Sequence, residues 1–222
     1  MRIRLCIVLF LVGLLGVVPR VYASTIALRA TDGATALSCL DNAACDANTT
    51  SAGTISWSFS VGAWSVTVLV GTGEAALGNQ PGSMDLTYNV ATAGTGTTLT
   101  LEFTQFDMTT SYPGWTSTIS GNRADSSILT RYTAFADDPN APFGATQQIG
   151  SPIGPFATCN CSSSSSVSVS PPYSLTQQLE FRSATADRAT GDAVLVPVPE
   201  PASLLLLGSL LMRTQEIDFC HL

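Results

Sequence analysis

The stretch that decides the fold is Ile55-Ser56-Trp57-Ser58-Phe59-Ser60-Val61-Gly62-Ala63-Trp64-Ser65-Val66-Thr67-Val68. Large apolar residues alternate with Ser or Thr on both sides of Gly62-Ala63, the period of two expected of strands with one packed and one wet face. Gly at the first position of a two-residue loop suits a type II′ turn, so the stretch predicts a β-hairpin. Its phase puts Trp57 and Trp64 in the core, with Tyr88 and Phe103 from the strands that follow. Working outward, the same period recurs at Leu86, Tyr88 and Val90, and at Leu99, Leu101 and Phe103, with Gly94-Thr95-Gly96 between them. Further strands are expected at Trp115–Ile119, Ile128–Phe135, Val167–Ser170, Ser174–Phe181 and Ala193–Val196. No part of 24–196 sustains a helical period. About eight to ten short strands between Gly, Pro and Asn turns predict an all-β fold: an antiparallel β-sandwich, jelly-roll or Ig-like, with a barrel as second choice.

Charge restricts the chemistry. Only 11% of the 222 residues are charged, all nine cations are Arg, and the single His is His221. A Ser-His-Asp or Cys-His arrangement lacks its imidazole, Schiff-base and P-loop chemistry lack their Lys, and a His-rich metal site has no ligands. Arg2 and Arg4 precede an apolar run, Leu5–Val18, and Val21-Tyr22-Ala23 ends in a small residue before Ser24. This is the pattern of a signal peptide over 1–23, cleaved between Ala23 and Ser24. The remaining body, 24–196, holds five Arg against thirteen acids, a net charge near −8. Such a charge disfavours nucleic acid and anionic membrane surfaces. The expected localisation is export, to the cell surface or outside the cell.

Cys39, Cys45, Cys159 and Cys161 are an even set in a compartment where disulfides persist. Cys39–Cys45 with Cys159–Cys161 is the most local pairing, cross-pairing competes with it, and the spacings do not suit a zinc ribbon. Tyr112 and Trp115, in Tyr112-Pro113-Gly114-Trp115, follow a turn signal and are the candidates for exposed aromatics that stack on sugar rings, with ordinary loop packing the better reading. Asp137-Asp138-Pro139-Asn140 and the set Asp41, Asn42 and Asp46 offer oxygen ligands for calcium, but neither matches an EF-hand and solvated turns are the better reading. The run Ser162–Ser166 reads as a flexible loop. Glu102 and Glu180 alternate with apolar neighbours on strands and point to the wet face, where acids solubilise more often than they catalyse. A glycosidase would need the two carboxyls opposed at about 5–10 Å. No cofactor, no metal and no catalytic residue is expected.

The C-terminal stretch Val196-Pro197-Val198-Pro199-Glu200-Pro201-Ala202-Ser203 leads into Leu204-Leu205-Leu206-Leu207-Gly208-Ser209-Leu210-Leu211-Met212 and Arg213. Alternating prolines hold the chain extended just ahead of the apolar segment. Val198, Pro199, Glu200 and Pro201 resemble the PEP-CTERM sorting signal of Gram-negative bacteria. The resemblance implies recognition by an exosortase-type membrane enzyme, transient inner-membrane association, and delivery to a surface or matrix rich in exopolysaccharide. The tail departs from the pattern. Ala202–Met212 is 11 residues, about 16 Å of helix against about 30 Å of hydrocarbon. An Arg-rich stop is also missing: 214–222 is mixed in character, as a frameshift or truncation after Met212 would leave it. The expected organisation is a signal peptide (1–23), a secreted β-sandwich (24–196), the sorting motif with its short apolar segment (197–213) and an atypical tail (214–222). The expected function is that of a non-enzymatic surface or matrix protein, structural or adhesive; the alternative is a carbohydrate-binding module using exposed aromatics.

Overall fold

The computed structural model describes residues 25–73, 82–94, 96–121 and 127–198. The signal segment with its Ala23–Ser24 junction, and Pro199, Glu200, Pro201 and everything after them, lie outside the described residues. Twelve strands are described: β1 Thr25–Thr31, β2 Ala36–Leu40, β3 Thr54–Val61, β4 Trp64–Thr72, β5 Met84–Thr92, β6 Thr97–Met108, β7 Trp115–Gly121, β8 Leu129–Asp137, β9 Gln147–Phe156, β10 Cys159–Ser165, β11 Tyr173–Ser183 and β12 Asp187–Pro197. The hairpin read from Ile55–Val68 is β3 and β4. Val61 pairs with Trp64 across Gly62-Ala63, and Gly62 alone is left-handed there, at φ 55°, as a type II′ turn requires. A Cβ at Gly62 would also strike the Asp32 carboxylate.

The strands form two six-stranded antiparallel sheets. The first runs β2-β1-β6-β11-β8-β9 and the second β10-β7-β12-β5-β4-β3. Pairing of β5 with β12, β6 with β11, β7 with β10 and β8 with β9 is the nesting of a folded-over ribbon. That decides between the two expected sandwiches in favour of the jelly roll, and two separate sheets rule out the barrel. β1 and β2 extend the edge of one sheet, β3 and β4 the edge of the other.

The inward residues of both sheets make one core. Trp64, Trp115, Tyr88, Tyr132, Tyr173, Phe103 and Phe181 are all fully buried. Phe181 of the first sheet meets Tyr88 edge-on at 5.1 Å and Trp64 at 6.5 Å, both from the second. Truncating a buried aromatic of this kind costs about 3–5 kcal/mol. Gln177 also lies in the core, where its Nε2 donates to the Met84 carbonyl at 3.1 Å and ties the sheets together.

Three differences from the sequence reading have local causes. Ser162–Ser165, expected in a flexible loop, belong to β10 and pair with Thr118–Trp115 of β7. Val167–Ser170, expected as a strand, carries no ladder, although Val167 and Val169 are buried; it runs into Pro171-Pro172, which have no N–H to give. β9 was hidden by Gly150, Pro152, Gly154 and Pro155, which interrupt its alternation and are tolerated because β9 is an edge strand with register shifts.

Candidate functional site

Trp115, weighed as an exposed aromatic against ordinary packing, is wholly buried. It fills the first inward position of β7, in phase with Ser117 and Ile119, and packs edge-on against Tyr173 at 6.0 Å. The sequence concealed this phase because the next inward residue is a serine, whose Oγ donates to the Ser163 carbonyl at 3.1 Å. Tyr112 is half-buried against Trp115, with ring centroids 6.1 Å apart. The pair considered as a sugar platform is thus packed into the body, the better of the two readings. Trp57, expected in the core, is only half-buried, as is Phe59. Both point inward from β3, but β3 is the last strand of its sheet, and among the described residues nothing pairs beyond it. Their rings stack at 4.0 Å with a tilt of 32°. Across the mouth of the sandwich lies β2, the edge of the other sheet, with the partly buried Leu37.

The loop 41–53 borders this mouth and is built around Asp46, buried to 3% exposure. Asp46 Oδ1 accepts from the N–H groups of Asn48 (2.8 Å) and Ser56 (3.0 Å), and Oδ2 from that of Asn42 (3.1 Å). Gly53 N–H donates to Asp41 Oδ2 at 2.7 Å. These carboxylates hold backbone donors and organise the loop, and no group of three or more metal-ligating side chains occurs among the described residues. Cys39 pairs with Cys45 across a Cα separation of 5.8 Å, closing the loop onto β2. Cys159 pairs with Cys161 on β10, Cα atoms 5.5 Å apart, which gives the most local connectivity of those expected.

The other acidic loop is a strap over the outer face of the first sheet. Ala141 N–H donates to Asp137 Oδ2 (3.0 Å) and Ser174 Oγ to the Ala141 carbonyl (2.8 Å). Asn140 receives the Asp107 N–H (2.8 Å) on its Oδ1 and donates Nδ2 to Asp107 Oδ1 (2.7 Å). Phe143 reaches β1, where the Arg29 guanidinium sits 4.4 Å above its ring. Beside the strap, Arg29 Nε donates to Glu102 Oε2 at 2.5 Å, and Gln178 Nε2 to Glu102 Oε1 at 3.1 Å. Glu102, expected on a wet face, is therefore 6% exposed. Glu180 does face solvent, and its Oε1 accepts from Arg182 Nε at 2.6 Å.

The outer face of the second sheet carries neutral hydroxyls. Ladder partners align Ser58, Thr67, Asn89 and Thr190 in one row, and Thr87, Asp192, Ser120 and Asn160 in the next. A third row holds Thr54, Thr72, Asp85, Val194, Thr118 and Ser162. Asp85 is pushed up to about 7, first by burial, then by its hydrogen bond to Asp192 and by repulsion from it. Thr87 Oγ1 also donates to Asp192, at 2.9 Å.

A jelly roll with one aromatic edge, one hydroxyl face and one strapped ionic face is the class these features define. No family model matches the chain, and no curated protein does. Among solved structures, a carbohydrate-binding module of the β-sandwich superfamily is similar at 11% identity and a TM-score of 0.36, over 78% of this chain and 71% of that one. A xylan-binding module is similar at 11% identity and 0.32, over 67% and 100%. The enzymatically active domain of bacteriophage CBA120 tailspike protein 4 aligns at 10% identity and 0.39; the match covers 71% of this chain but only 21% of that one. These are likenesses of fold.

Proposed function

We propose that this chain is an exported, non-enzymatic module of the cell surface or extracellular matrix that binds polysaccharide at the mouth between β2 and β3. The observation that carries the reading is the half-exposed stack of Trp57 on Phe59 at an unpaired sheet edge. The C–H face of a pyranose is apolar and packs on such rings, while its hydroxyls reach the polar rim, here Ser58 and Ser60 on the outer side of the same strand. Two intrachain disulfides and an acidic, Lys-free body support an extracellular address. The exported protein should be retarded by neutral glucans in affinity electrophoresis, and Trp57→Ala should weaken retardation about tenfold, the loss expected for a central aromatic anchor. Equal retardation of Trp57→Ala and the native protein, with unchanged melting, would remove this site.

Delivery is the second part of the proposal: Val198, Pro199, Glu200 and Pro201 act as an exosortase-type sorting signal. Replacing Pro199, Glu200 and Pro201 by Ala in a host with an exosortase should deplete the surface fraction. A surface fraction unchanged by that replacement refutes sorting through the motif.

A further inference from the structure

The first sheet carries a second feature, remote from the aromatic edge. β8, β9 and β11 enclose a recess of about 130 Å³ lined by Leu129, Arg131, Pro155, Glu180 and Arg182. An enclosed apolar cavity of about 150 Å³ accepts a benzene ring, so a recess of this size holds one edge of a substituted sugar ring. Register explains the convergence: Arg131 pairs with Glu180 and Leu129 with Arg182 across β8 and β11, so all four share one face.

The two arginines here are less neutralised than Arg29 is. Arg29 has Glu102 and the Phe143 ring. Arg182 uses only its Nε on Glu180 Oε1 and is 64% exposed. Arg131 is exposed, and its side chain makes no hydrogen bond or ion pair among the described residues. Arg29, Arg131 and Arg182, three of the five arginines of 24–196, thus stand on one face against Glu102 and Glu180, in a body whose net charge is near −8.

We infer that this recess binds a carboxylated sugar, the uronate unit of an acidic polysaccharide. The guanidinium groups of Arg131 and Arg182 match the two oxygens of a carboxylate. Glu180 accepts from a ring hydroxyl, and Leu129 and Pro155 wall the apolar face of the ring. A bare phosphate would leave those walls unused and would offer Glu180 no ring hydroxyl. The recess is separate from the Trp57 site, which lies on β3 of the second sheet, opposite β2, while the recess lies at the β9 end of the first sheet.

The test is calorimetric titration of the exported protein with an oligogalacturonate, a neutral gluco-oligosaccharide and inorganic polyphosphate. Oligogalacturonate should bind, more weakly as salt is raised. Arg131→Gln and Arg182→Gln should each weaken it about tenfold, the loss of one charge-assisted contact. The double variant should not bind, with melting unchanged because both residues are exposed, and Trp57→Ala should leave oligogalacturonate binding intact. Absence of binding, binding indifferent to both arginines, or polyphosphate binding of equal strength and equal arginine dependence would overturn the inference. A neutral oligosaccharide that fails to bind, beside arginine-dependent uronate binding, would instead discard only the Trp57 site.

Discussion

The two outer faces of this sandwich arise from the same alternation and are finished in opposite ways. On the second sheet the outward residues are mostly Ser, Thr and Asn in aligned rows, joined by Asp85, Asp192 and Val194 and almost free of cations. On the first sheet they include Arg29, Glu102, Gln178, Arg131, Glu180 and Arg182, and the strap from Asp137 to Thr146 lies across part of them. A neutral hydroxyl face is cheap to keep hydrated and tolerant of change. A partly covered ionic face is not, because a charge shielded from water depends on its partner. Polar residues are thus interchangeable on one side of this molecule and specific on the other.

That contrast can be broken first at Glu102. Glu102→Ala strands Arg29 and Gln178 and should cost about 2 kcal/mol, since Arg29 keeps partial access to water; urea unfolding at neutral pH reads it. Asn140→Ala releases the strap from Asp107 and should cost about 1 kcal/mol, with faster amide exchange confined to 138–146. The one acidic pair on the hydroxyl face should respond with the opposite sign. Asp85 holds its proton up to about pH 7 when folded but not when unfolded. The folded state therefore binds the extra proton between about pH 4 and 7, and stability falls as pH rises through that window. Asp85→Asn should flatten the profile and gain about 1 kcal/mol at pH 8, after discounting for partial exposure. Thr118→Ala, in the middle of the hydroxyl face, should change stability by about 0.5 kcal/mol or less. A larger loss there than at Glu102 would reverse the contrast.

Much of the fold was legible because the alternation from Ile55 to Val68 is unbroken and its turn is chemically specific. The aromatic site was not, and the cause is physical. Phase tells which side of a strand a residue occupies, but not whether the strand is central or at an edge. Trp57 and Trp64 have the same phase, yet β4 is flanked on both sides and β3 on one, so Trp64 is buried and Trp57 half-exposed. The depth of Trp115 was concealed in the reverse sense, because a buried Ser117 interrupted its apolar pattern. Glu102 looked like an ordinary outward acid, since its burial depends on Arg29, 73 residues away in the chain. Asp46 and Asp137 read as residues of solvated turns, with calcium as the lesser alternative, because a carboxylate that gathers backbone N–H groups is spelled like one that faces water or a cation.

Contact between the edge aromatic pair and polysaccharide can be read from the three tryptophan indole N–H resonances during titration with a neutral gluco-oligosaccharide. The Trp57 signal should shift progressively to saturation while those of the buried Trp64 and Trp115 stay in place. Saturable binding that leaves Trp57 unmoved, or that shifts all three alike, would contradict the account.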